Sequence, residues 1–317
     1  MGFKIVRTDR EFECATIDRV LRERGAELTV LADGIDEDTL AEAAADADLI
    51  LMCYTPITAR VIDGAKRLKG IVKYGVGIDA IDIGAAMARR IPVVNVPDYG
   101  EETVAEHAFA MLIALAKKLM PLHGAMQTDG WVWPTERWMA TDIAEKTVGL
   151  VGLGRIGASM ARMAGAGFRA RVIGFDPFMS VEDMAQAGVE KRDNLHEMLA
   201  ESDFVSVHCV LNNATRHLIG KAEFAVMKPT AALINVSRGA IVDEQALVES
   251  IVSGQIAGAG LDVFSREPLS TTGHMMSPLY GRDNVILTPH FAFYTDDAMR
   301  RLCLIVGVLR CECNRSV

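Results

Sequence analysis

Three charged side chains lie in glycine- or proline-marked turns of the second half of the chain, each just beyond an apolar, strand-like run. They are Arg238 in Asn235-Val-Ser-Arg-Gly239, Glu267 in Asp262-Val-Phe-Ser-Arg-Glu-Pro268 and His290 in Thr288-Pro-His-Phe-Ala292. Loops beyond the carboxyl ends of parallel strands are where open α/β sheets bind ligands. An arginine, a carboxylate and a histidine suffice for the acid-base chemistry of an oxidoreductase. Taken singly, each has a plainer reading: Arg238 as a surface cation, Glu267 as a cap, His290 as a satisfied loop histidine.

A fourth motif points to a ligand. Gly152-Leu153-Gly154-Arg155-Ile156-Gly157 follows the apolar run Thr147–Val151 and opens a helical pattern, and Asp176 ends the next strand-like run. This is the full dinucleotide fingerprint in context. Gly152 permits the tight turn, Gly154 lets a pyrophosphate approach the backbone, and Gly157 lets helix and strand pack closely while helix N-terminal amides face the anion. Asp176 is placed to accept hydrogen bonds from the adenosine ribose, and no arginine occurs in 176–180 to meet a 2′-phosphate, so NAD is favoured over NADP. The turn Gly75-Val76-Gly77-Ile78-Asp79 also follows a strand-like run but lacks the third glycine. Its amides could hold a carboxylate, and a plain tight turn explains the spacing at least as well.

Such turns need strands and helices to carry them. Short β-rich runs at 4–6, 27–30, Leu49–Met52, 71–73 and 92–94 alternate with helix-like stretches, the rhythm of a parallel sheet. Asn95-Val-Pro-Asp-Tyr-Gly100 breaks the pattern, 101–119 reads as one long helix, and 121–145 as a polar, irregular excursion carrying Trp131, Trp133 and Trp138. A second series follows at Thr147–Val151, Arg171–Phe175, Phe204–Val207, Ala232–Asn235, 257–261 and Val285–Leu287, and a closing helix at 295–309 is long enough to return to the first domain. The expectation is two doubly wound α/β domains: 1–99 with 291–317, and a dinucleotide-binding domain at 100–290.

The 317 residues are half apolar and 24% charged, as in a globular protein with ample core. A net charge of −9 without a basic stripe argues against nucleic acid, and no window reaches eighteen uninterrupted apolar residues, so neither a membrane partner nor a transmembrane segment is expected. Charges near Met1 fit no signal peptide, and a cytoplasmic protein is expected. The cysteines at 14, 53, 209, 303, 311 and 313 form no paired Cys-x-x-Cys spacing; they read as buried free thiols, with no metal site.

Together these motifs resemble the D-isomer-specific 2-hydroxyacid dehydrogenases. The likeness runs from Tyr74-Gly-Val-Gly-Ile-Asp79 through Thr103-Val-Ala-Glu-His107, the Gly152 turn, Val205-Ser-Val-His208, Thr215, Asn235-Val-Ser-Arg-Gly239 and Ile241-Val-Asp-Glu244 to Thr288-Pro-His290. It implies a Rossmann NAD-binding domain inserted in a flavodoxin-like substrate domain, with the active site between them. His290 would then be the acid-base catalyst, Glu267 its partner, and Arg238 the clamp on the substrate carboxylate, helped by the amides of Val76 and Gly77. For the cofactor the resemblance implies Arg155 and Ile156 at the pyrophosphate, Asp176 at the ribose, and Thr103, His208, Thr215, Asp262 and Ala292 around the rest. For His107, facing inward on its helix, a core role alone is enough. The family also implies a homodimer, with 121–145 as the cross-subunit element.

Departures from the common pattern narrow the expectation. His208-Cys-Val-Leu-Asn212 lacks a frequent proline, and Phe293-Tyr294 stands where a glycine often follows the alanine. Both features are similar to the branch containing the C-terminal-binding-protein corepressors, so a scaffold that senses NADH with little turnover is the alternative to a reductase of short 2-keto acids such as glyoxylate or hydroxypyruvate. Phe293 would narrow the substrate end of the cleft. The loop Met52-Cys-Tyr54-Thr-Pro56 is neutral where phosphoglycerate-using relatives carry an arginine, which disfavours a phosphorylated substrate.

Overall fold

The structure, a computed structural model, describes residues 2–12 and 15–313, with side chains as far as Ile305. The thiols of Cys14, Cys311 and Cys313 lie outside the described residues. Cys53 is buried, whereas Cys209 and Cys303 are only half-buried. The chain divides into two compact units, Met1–Gly100 with Thr295–Val317, and Glu101–Tyr294.

The first unit holds β1 (Phe3–Arg7), β2 (Ala26–Val30), β3 (Leu49–Met52), β4 (Gly70–Lys73) and β5 (Val93–Val94) in one parallel sheet of order β2-β1-β3-β4-β5. This is the flavodoxin-like order. Parallel strands need crossovers, and helices between them cover the sheet, so Ile50, Met52 and Ile71 are wholly buried. Asx caps set where helices begin: Asp36 accepts from Thr39 N at 2.7 Å and Asp82 from Ala85 N at 2.9 Å, each satisfying a first-turn amide that has no partner within its helix.

The second unit adds β6 (Thr147–Val151), β7 (Arg171–Phe175), β8 (Glu190–Lys191), β9 (Phe204–Val207), β10 (Ala232–Asn235), β11 (Gly258–Leu261) and β12 (Val285–Leu287). All seven are parallel, in the order β12-β11-β10-β9-β6-β7-β8. The order reverses between β6 and β9, the switch point at which such sheets bind ligands. Each face carries its own apolar cluster: Val148 and Leu150 pack with the helix Glu101–Ala116, and Val151, Val205 and Leu233 pack on the other side.

Two expectations are corrected. The helix read as 101–119 ends at Ala116, because Lys118 takes a left-handed conformation (φ 52°). The segment read as irregular begins with a second helix, Leu119–Asp129, in which Pro121 sits in the first turn, where its missing N–H costs no intrahelical bond. The two-residue strand β8 was not foreseen; it pairs with β7 and is flanked by ion pairs of Arg171 and Arg192 with Glu190 and Glu201. No single described helix is long and apolar enough to cross a membrane.

Candidate active site

The glycine turn is built at the end of β6. Gly152 has φ 91°, and a Cβ there would stand 2.7 Å from Cys209 N; at Gly157 a Cβ would meet the Gly152 carbonyl oxygen at 2.4 Å. Both positions therefore exclude any larger residue. Gly154, the N-cap of the helix Arg155–Arg162, has nothing within 4 Å of its missing Cβ, which leaves open space before the helix amides. Asp176, just past β7, is held by the turn itself: Oδ2 accepts from Leu153 N at 3.0 Å and Oδ1 from Phe178 N at 2.9 Å. Ile156 packs into the core, while Arg155 is largely exposed, 3.9 Å from Glu101.

The surrounding positions divide by what they touch. His208 follows β9 and packs 3.5 Å from the missing Cβ of Gly157. Its Nε2 meets Ser206 Oγ at 2.9 Å, its buried Nδ1 has no partner among the described residues, and burial pushes its pKa down to about 4, so the ring is neutral. Thr215 closes its own loop, donating to Val210 O at 2.6 Å and accepting from Asn212 N at 2.8 Å. Thr103 and Ala292 are buried.

His290, Glu267 and Arg238 all sit on turns of this unit. His290 Nδ1 lies 2.7 Å from Glu267 Oε2, and Glu267 Oε1 accepts from Phe264 N at 2.8 Å, so the carboxylate is fixed before it meets the imidazole. His290 has φ 59°, a left-handed conformation that non-glycine residues seldom adopt. Asp262, fully buried at the end of β11, accepts from Phe291 N and Ala292 N, both at 2.9 Å. The Arg238 turn is pressed against the glutamate loop: a Cβ on Gly239 would be 2.0 Å from the Phe264 backbone. Arg238 itself donates to Ser237 O at 2.7 Å. Phe293 is buried, its ring edge-on to His290 at 6.4 Å between centroids.

In the first unit Tyr54 and the Val76-Gly77 turn follow the adjacent strands β3 and β4. Val76 is exposed, and Asn95 Nδ2 donates to its carbonyl at 2.7 Å. Two residues the sequence reading missed organise this end of the sheet. Buried Asp9 accepts from the amides of Cys53, Tyr54 and Thr55 at 2.7, 3.0 and 3.1 Å. Buried Lys73 donates to the Cys53 carbonyl and lies 5.6 Å from the centre of the Tyr54 ring. A lone lysine closing an apolar strand beside the glycine turn was the available signal; for Asp9 there was none, since its partners lie over forty residues away.

Residues 109–292 match the description of the D-isomer specific 2-hydroxyacid dehydrogenase NAD-binding domain. The chain belongs to that family. It is 37% identical over 320 residues to the D-3-phosphoglycerate dehydrogenase of Methanocaldococcus jannaschii, spanning 99% of this chain and 59% of that protein. It is 38% identical over 271 residues to the glyoxylate reductase of Korarchaeum cryptofilum, covering 84% of this chain and 80% of that one. The structure is similar to that of D-lactate dehydrogenase from Aquifex aeolicus complexed with NAD and lactic acid, with TM-score 0.86, 29% identity, and 98% and 95% of the two chains covered. The chain spans between about half and three-fifths of the phosphoglycerate dehydrogenases it matches.

The residues of this dehydrogenase family member fit a bound NAD. Open space lies where a diphosphate would approach Gly154, a carboxylate at Asp176 is held in place for ribose hydroxyls, and a neutral His208 with an unpartnered buried nitrogen flanks the turn. Among the described residues no three of His, Cys, Asp and Glu are grouped to hold a metal ion.

Proposed function

We propose that this chain is an NAD-dependent reductase of short 2-keto acids, interconverting a substrate such as glyoxylate, hydroxypyruvate or pyruvate with its D-2-hydroxy acid. The reading is carried by the His290–Glu267 pair at 2.7 Å. A carboxylate only accepts, so Nδ1 carries a hydrogen and Nε2 is the ring atom that exchanges the proton. Bound nicotinamide supplies the hydride. His290 Nε2 gives its proton to the keto oxygen during reduction and takes it back in the reverse direction, while Glu267 keeps the ring oriented. Arg238 pairs with the substrate carboxylate, for which its planar fork of donors is suited. Tyr54 and the amides of Val76 and Gly77 are the assigned substrate contacts of the first unit, and Phe293 offers an apolar face.

Asp176 and the Gly152, Gly154 and Gly157 turn select NAD, with Arg155, Ile156, Thr103, His208 and Ala292 beside it. Thr215 and Asp262 shape loops around the cofactor, since their own side chains are engaged there. The His208-Cys-Val-Leu-Asn212 and Phe293-Tyr294 motifs favour the branch containing the C-terminal-binding proteins. The active form is taken to be a homodimer built on the 121–145 arm.

The test is loss of NADH absorbance on mixing the protein with glyoxylate, hydroxypyruvate, pyruvate and phosphohydroxypyruvate, with NADPH in parallel. The phosphorylated acid belongs in the panel because Lys73 puts a cation under the Tyr54 loop. Turnover of a keto acid with NADH preferred is expected. NADH binding without turnover of any would overturn the reductase reading in favour of an NADH-sensing scaffold, and failure to bind either nucleotide would contradict the assignment of the glycine turn.

A further inference from the structure

His107 takes no part in the proposed chemistry, yet it is not packed among apolar groups alone. Its Nε2 lies 3.1 Å from Thr288 Oγ1, and that hydroxyl donates to Asp262 Oδ1. With its proton so directed, the Thr288 oxygen accepts from His107, which fixes the hydrogen on Nε2. Asp262 in turn holds three successive amides of the catalytic loop: His290 N donates to its main-chain oxygen at 2.7 Å, Phe291 N to Oδ1 and Ala292 N to Oδ2, both at 2.9 Å. His107 Nε2 also stands 3.8 Å from Asp262 Oδ1, and Asp262 is wholly buried. A left-handed histidine persists only where its surroundings over-determine it, and this bracket does so from the helix Glu101–Ala116 on one side and the end of β11 on the other.

We propose that His107 is a positioning residue for His290, acting through Thr288 and Asp262. The proposal rests on the reading of His290 as the acid-base residue. His107 touches no reacting atom; it locks the Thr288 hydroxyl onto Asp262, so the carboxylate keeps the geometry that the Phe291 and Ala292 amides require. A glutamine can place an amide donor near the position of the imidazole Nε2, whereas leucine cannot donate at all.

Hydrogen exchange of peptides covering 258–261 and 285–294 is compared among wild type, His107→Leu and His107→Gln, alongside steady-state kinetics on the best keto acid. In His107→Leu the amides of 290–292 exchange at least about tenfold faster while β11 keeps its protection, and kcat falls about tenfold with KM for NADH within about twofold. His107→Gln restores both. Unchanged protection of 290–292 in His107→Leu overturns the proposal, as does loss of protection spread equally over β11 and β12, which marks a merely structural residue. Should His107→Leu fail to fold, Thr288→Val against Thr288→Ser carries the same comparison. If the wild-type protein reduces no keto acid, the reaction proposed above fails while the exchange experiment still decides the role of His107.

Discussion

In the proposed site, cofactor choice turns on Asp176. Its two oxygens each accept from a backbone amide, and a carboxylate held there would suit ribose hydroxyls and repel a 2′-phosphate. Asp176→Ala should therefore lower the preference for NADH over NADPH by tenfold or more, roughly 1–2 kcal/mol, read as the ratio of kcat/KM values. His208 makes a different kind of prediction. Burial lowers its pKa from about 6.5 to about 4 in the folded protein, so on acidification the unfolded chain takes up the proton first. Its contribution is fully present above pH 6.5 and is lost as pH falls towards 4, by about 3 kcal/mol at most. Urea denaturation of His208→Gln across that window should show a correspondingly flatter loss of stability; a slope equal to that of wild type would contradict the assignment. The turn placement of the charged trio and Asp176 was legible in the sequence, because each follows a strand by one to six residues. Asp9, Lys73 and the bracket around Asp262 were not, because their partners come from distant segments and only folding sets them within hydrogen-bond reach.

At the level of elements, strand, tight turn and helix form a single device. Gly157 admits the helix so close to β6 that an added methyl would stand 2.4 Å from a backbone oxygen, which no side-chain rotation relieves. Gly157→Ala should cost about 1–3 kcal/mol of stability and abolish detectable NADH binding by fluorescence titration, whereas unimpaired binding would show that the turn does not hold the cofactor. Among the described residues, eleven of the twelve strands lie where apolar runs alternate with helix-like stretches, because parallel strands covered on both faces read as continuous hydrophobic segments. The exception, β8, is two residues long and carries Glu190 and Lys191, so it offered no periodic signal. The break at Lys118 was hidden for another reason: a lysine in a left-handed conformation has no compositional mark, unlike the glycine that commonly ends a helix.

For the whole molecule, the helix Leu119–Asp129 buries none of its residues, and the arm carrying it and its continuation exposes Leu119, Met120, Trp131, Trp133 and Met139 to half or more of their surface. Several exposed large apolar side chains on one arm motivate the expectation of a subunit interface there. Sedimentation at micromolar concentration should give a dimer, and Trp131→Ala with Trp133→Ala should shift it towards monomer; a wild-type monomer would remove the expectation. In the proposed reaction the His290–Glu267 pair moves the proton while hydride is transferred. The decisive measurement is the rate of NADH consumption by His290→Asn on the best keto acid, with NADH affinity measured on the same sample. A fall of about 10²–10⁴-fold in kcat at unchanged NADH affinity is predicted, and turnover close to wild type would contradict the account.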